Sequence, residues 1–111
     1  MKIKTSELTG KPLDYAVAVA EGYTPYTDGI SWIVDVGGAS TQLFNYSNKW
    51  VAGGPIIERE KIAIDPDGWR WVASTNDRPI CYSAETPLIA AMRCYVESKL
   101  GDEVEIPEEL K

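Results

Sequence analysis

The run from residue 86 to residue 101 (TPLIAAMRCYVESKLG) constrains the fold more than any other stretch of this chain. Thr86 can cap a helix with its side-chain oxygen, and Pro87 suits the first helical position, where the N–H has no partner in any case. Leu88, Ala91, Met92, Tyr95 and Val96 recur at helical spacing. Ile89 and Leu100 widen that stripe until only a narrow strip around Arg93 and Glu97 is polar. Lys99 stands where a cation complements the helix dipole, and Gly101 supplies a terminator. The spacing predicts a helix over residues 87–100. An apolar face this wide must be covered on more than one side, by the rest of the chain or by a second copy in a homodimer. Arg93 and Glu97 form an i,i+4 ion pair in this reading, worth roughly 0.2–0.5 kcal/mol.

The remaining segments read as an α+β fold: a small mixed or antiparallel sheet of three to five short strands against two main helices, residues 10–21 and 87–100, with a short third helix at 55–61. Thr9 precedes the first helix as its N-cap; Leu13, Ala16, Val17 and Ala20 make its apolar stripe, and Gly22 ends it. Residues 1–5 read as an edge strand with Ile3 inward. Residues 31–36 and 41–46 form a hairpin turned at Gly37-Gly38. Asp65-Pro66-Asp67-Gly68 is turn chemistry, and residues 69–73 alternate as a strand with Trp69 and Trp71 on one face. Residues 76–79 read as a loop, 80–82 as a short strand, and Val104 and Ile106 as a few extended residues. One domain spans 1–111, with five carboxylates and one lysine in the tail 102–111.

Composition narrows the activities. There is no histidine, which removes Ser-His and Cys-His nucleophile pairs and the usual zinc sites. No catalytic residues, metal or cofactor are assigned, and an enzyme is not expected. Eleven basic against seventeen acidic residues give a net charge of −6, the wrong sign for binding nucleic acid through its phosphates. The charge suits solubility or contact with a basic partner surface. No apolar run reaches the roughly 18 residues of a membrane span, and residues 1–6 lack the apolar core of a secretory signal, so a cytoplasmic protein is expected. Cys81 and Cys94 are then expected as reduced thiols, with a disulfide between them as the alternative; Cys94, on the flank of the helical stripe, is expected to act as a small hydrophobe.

Two features carry candidate chemistry. Gly53-Gly54-Pro55, entering the short helix, is a tight turn that lets Ile56 and Ile57 pack inward; its backbone N–H groups could also meet an anion, although the lysine and serine of a phosphate loop are absent. Among the four tryptophans, Trp50 beside this turn is the one expected on the surface. Trp50, Gly53, Gly54, Pro55 and Arg59 therefore form the candidate binding patch. Asp28, Asp35, Asp65 and Asp67 are oxygen donors of the calcium-binding type, but no glutamate closes a loop after Gly68, and a plain turn is the better reading.

Three stretches resemble the NinX-like family of small lambdoid phage and prophage proteins of unknown function. They are the opening MKIKTSELTG with Asp14-Tyr15-Ala16-Val17-Ala18, the central GGPIIERE within residues 50–60, and TPLIAAMRCYV continuing to Gly101-Asp102-Glu103-Val104. Residues 23–49 carry less of the likeness. The resemblance implies a phage accessory protein in the bacterial cytoplasm and supplies no site residues. The expected action is binding of a host or phage protein. A small-molecule or nucleotide site at residues 50–55, and an acidic mimic of DNA, are the alternatives.

Overall fold

The computed structural model describes residues 1–75 and 78–110, with residues 78–81 as main chain only. The elements run β1 (Lys2–Lys4), a 3-10 turn (Thr5–Glu7), α1 (Gly10–Ala20), β2 (Tyr26–Thr27), β3 (Trp32–Val36), β4 (Ala39–Gln42), α2 (Trp50–Glu60), β5 (Ala63–Asp67), β6 (Arg70–Thr75), β7 (Arg78–Ala84), α3 (Pro87–Leu100), β8 (Glu103–Glu105) and a last 3-10 turn (Glu108–Leu110). The α+β class is as the sequence reads. The strands, however, divide among three antiparallel sheets, β1-β8, β2-β3-β4 and β5-β6-β7, and are more numerous than the three to five expected.

α3 is the pillar the sequence describes. The Ile89 N–H donates to Thr86 Oγ1 at 3.1 Å, a cap worth about 1 kcal/mol, and Gly101 closes the helix at φ +93°. Leu88, Ala90, Ala91, Met92, Cys94, Tyr95 and Val96 are all buried. α1, α2 and the β5-β6-β7 sheet all pack on the helix, so its apolar stripe is covered within the chain. Arg93 does not serve as a surface ion pair. Its Nε donates to the Leu8 carbonyl at 2.7 Å and Nη1 to the Ser83 carbonyl at 3.0 Å, tying α3 to a segment 85 residues away and to the end of β7.

α1 ends in a Schellman arrangement: Gly22, at φ +95°, donates to Val19 O, and Tyr23 donates to Ala18 O. β1 and β8 close the chain with Lys2 opposite Glu105 and Lys4 opposite Glu103, and Ile3 beside Val104. Gly37 and Gly38, both at positive φ, make the two-residue turn between β3 and β4, a twist that suits a hairpin.

The turn expected at Asp65–Gly68 lies two residues later. Residues 65–67 belong to β5, where Pro66 is tolerated because β5 is an edge strand, and Gly68-Trp69 make the turn into β6. This moves Trp69 out of the strand: it is 75% exposed and lies against the Arg70 guanidinium (5.0 Å), while Trp71 is half-buried against the core. Of the loop expected at 76–79, residues 76 and 77 lie outside the described residues, and Arg78 and Pro79 belong to β7. The Cys81 side chain also lies outside the description; Cys94 is buried.

Candidate functional site: the groove beside the second helix

The glycine pair at 53–54 forms no turn. α2 begins at Trp50, so Pro55 is its sixth residue and both glycines lie inside the helix. A proline there removes one intrahelical donor, that to the Val51 carbonyl, at an exposed part of the helix. The residue before a proline normally avoids helical geometry because its Cβ meets the ring; Gly54 has none. The Gly53 N–H is already spent on the Lys49 carbonyl at 3.0 Å. The anion-cradle geometry is therefore absent.

Gly53 has a packing role instead. A Cβ there would stand 2.5 Å from the Tyr46 carbonyl oxygen and 2.7 Å from Leu88 Cδ1. Only a glycine lets α2 approach the 43–47 segment and the first turn of α3 this closely. That approach builds a groove of about 330 Å³, lined by Tyr23, Phe44, Tyr46, Val51, Pro55 and Ile56, with Glu21 and Arg59 at its polar end. Phe44 and Tyr46 meet edge to face at 5.7 Å. On its rim Val51 is 87% exposed, and the preceding Trp50, outside the groove, is 54% exposed.

The candidate patch is thus divided by the helix. Pro55 and Arg59 line the groove, Gly53 lies buried beneath it, and Trp50 faces a second, smaller depression with Ser47, Asn48, Pro87 and Ile89. Gly54 rests beside the Trp50 ring. The groove's aromatic wall was not legible in the sequence: residues 41–46 read as a strand, but β4 ends at Gln42, so Phe44 and Tyr46 stand in a loop, and Tyr23 joins them from the far end of α1.

The polar end is a closed cluster. Arg59 grips Glu21 with both nitrogens, at 2.6 and 3.2 Å, and its Nε donates to Glu60 at 2.8 Å. The Tyr95 hydroxyl donates to Glu21. Partial burial would raise the Glu21 pKa, but the hydrogen bonds from Arg59 and Tyr95 outweigh it and hold the carboxyl below its ordinary value. The same burial and the adjacent Glu21 push the Tyr95 hydroxyl well up. Glu21 therefore contributes stability above its unfolded pKa that is lost as pH falls through the lower folded value.

Asp14 behaves oppositely. It is buried, and its Oδ1 accepts the Ser47 N–H at 2.8 Å, which anchors the loop that carries Tyr46. Burial is the largest influence and raises its pKa above 3.8, against the lowering effect of Ser47 and Lys11. The folded state is then favoured by protonation, so at neutral pH the charged form carries a cost. Asp14→Asn keeps the acceptor and removes the charge. Its stability in urea should equal or exceed wild type at neutral pH, and the difference should vanish on acidification below 3.8. A less stable Asn variant at neutral pH would show that Ser47 needs the ionised acceptor.

Asp28 and Asp35 are occupied separately, while Asp65 and Asp67 stand exposed in β5. Asp28 Oδ1 accepts the N–H groups of Ile30 (2.9 Å) and Ser31 (2.8 Å), and Asp35 accepts from Tyr26 and Ser40. Among the described residues no three carboxylate or thiol groups are placed to hold a metal ion, and no helix is long and apolar enough to cross a membrane.

Fold and site together define a small α+β protein with a helix-edged aromatic groove. The chain belongs to the NinX family of bacteriophage P22, whose family model matches residues 4–99, from β1 to the last turn of α3. Residues 23–49, which carry the groove wall, fall within that match. No curated protein matches the chain.

Proposed function

We propose that this phage protein acts by binding a phage or host protein in the cytoplasm, through the outward side of α2 and the groove beside it. The occupant is an apolar segment flanked by basic residues. The observation that carries this reading is the exposure of Val51 on the rim of a groove whose walls are aromatic, with Trp50 exposed at the same helix end over a neighbouring depression. Leaving large apolar side chains clustered in water is unfavourable, and such clusters mark interaction sites. Aromatic residues also supply most of the energy at protein interfaces. Charge fits the same partner: the chain carries −6 overall, and Glu58 stands exposed on the same helix.

The alternatives draw less support. A nucleotide or other anion would need free N–H groups at residues 53–55, which the helix consumes or lacks. A DNA mimic needs unbroken rows of carboxylates, whereas Glu103 and Glu105 stand opposite Lys4 and Lys2.

A photo-reactive amino acid at position 51, expressed in cells carrying the phage, tests the proposal. A discrete protein adduct is expected from position 51, absent from the exposed control position 103, and lost with Trp50→Ala. No adduct at 51, or the same adducts from both positions, would overturn it.

A further inference from the structure

We infer that β4 is a pairing edge for a second copy of this chain, which adds across a two-fold axis to make one continuous six-stranded antiparallel sheet. Sheet edges are normally blunted by charge, proline or shortness. β1 carries Lys2 and Lys4, β8 carries Glu103 and Glu105, β5 carries Asp65, Pro66 and Asp67, β7 contains Pro79, and β2 is two residues long. β4, Ala39-Ser40-Thr41-Gln42, has none of these devices and is exposed along its whole length.

The register fixes what this edge offers. Ala39 opposite Val36 and Thr41 opposite Val34 continue the pairing that the Leu43 N–H makes to the Trp32 carbonyl at 2.9 Å. In an antiparallel pair the bonded residues alternate, so the N–H and C=O groups of Ser40 and Gln42 point away from β3. Among the described residues no hydrogen bond to those main-chain groups is found.

The edge is self-complementary. Outward groups at two positions around Thr41 let Ser40 pair with Gln42 of a second copy and Gln42 with its Ser40, satisfying all of them at once. A two-fold axis then passes beside Thr41, which faces its own counterpart in a close, non-bonded pair. The strand is neutral, so two chains that each carry −6 meet where no like charges oppose. Asp35, the nearest carboxylate, is held by Ser40 Oγ at 2.7 Å and Tyr26 Oη at 3.1 Å. A peptide edge from a different protein would gain nothing from this symmetry, which is why a second copy is the occupant. The contact is small, and association is expected in the micromolar to millimolar range.

Sedimentation equilibrium of the full chain, from about 10 µM to about 1 mM, reads the result. Reversible dimerisation is expected, with Thr41→Lys and Thr41→Glu each monomeric and their equimolar mixture dimeric again. Rescue in the mixture separates charge opposition at the axis from damage to the hairpin. Three results would overturn the inference: a monomer throughout the range, a dimer indifferent to Thr41→Lys, or single variants whose mixture stays monomeric.

Discussion

Gly53→Ala should destabilise the protein by about 2 kcal/mol, lowering the melting temperature by roughly 10 °C, although alanine is the better helix former. Helix propensity alone favours the alanine by about 1 kcal/mol. Against it stands a Cβ placed 2.5 Å from the Tyr46 carbonyl oxygen and 2.7 Å from Leu88 Cδ1. The leucine methyl can swing aside; the carbonyl is main chain, held in a loop that Asp14 anchors through Ser47. Relief therefore requires α2 to move away from the loop, which opens the groove. Gly54→Ala is the control. Its Cβ would meet only the Trp50 ring, at an ordinary 3.7 Å, so the propensity gain and the crowding ahead of Pro55 nearly cancel. Its stability should stay within about 1 kcal/mol of wild type. Thermal and urea unfolding of the two variants would check this, and equal effects would refute the close approach at residue 53.

Arg93→Ala should cost roughly 2–3 kcal/mol, against the few tenths that a surface i,i+4 ion pair would give. The guanidinium is half-buried, and burial together with nearby Arg70 lowers its pKa. It stays charged because arginine does so in any protein setting, and it spends that charge on two carbonyls. Truncation leaves the Leu8 and Ser83 oxygens without this donor and frees the two ends they belong to. Arg93→Lys should recover only part of the loss, since one ammonium cannot reproduce the planar fork that meets two carbonyls at 2.7 and 3.0 Å. A loss below about 0.5 kcal/mol for Arg93→Ala would return the residue to the surface role that its sequence neighbours suggest.

Arg93 also shows where sequence reading stops. Thr86, Pro87, the apolar stripe and Gly101 are local signals, each fixed by neighbours within a turn, and α3 follows them closely. The Gly37-Gly38 hairpin is legible for the same reason. The partner of Arg93 is not local: Glu97 is adjacent on the helix, but the bonds run to Leu8, 85 residues away, and to Ser83. Pro55 misled in another way. Proline at the first helical position is the common case, and the run that precedes it holds two glycines, a turn signature. Close packing on Tyr46 and Leu88 overrode that propensity and extended the helix back to Trp50. Trp69 lost its strand position because Gly68, at φ +64°, takes the first place of the turn and leaves the tryptophan the second.

Trp50 was expected on the surface, and it is there, but its neighbours in the candidate patch do different work. Gly53 is buried structure, Arg59 is committed to Glu21 and Glu60, and the exposed apolar neighbour is Val51, which sequence reading passed over. An isolated exposed valine on a helix would carry no meaning. As part of the lining that it shares with Tyr23, Phe44 and Tyr46, it stands where the proposed apolar segment would dock.

The affinity of the partner identified by cross-linking, titrated against wild type and Val51→Asp, tests that surface most directly. Val51 is 87% exposed, so the substitution should leave the melting temperature unchanged. The account predicts at least a tenfold weaker Kd, about 1.4 kcal/mol, from one charge placed in the apolar contact. An unchanged Kd would contradict it and remove α2 from the interface.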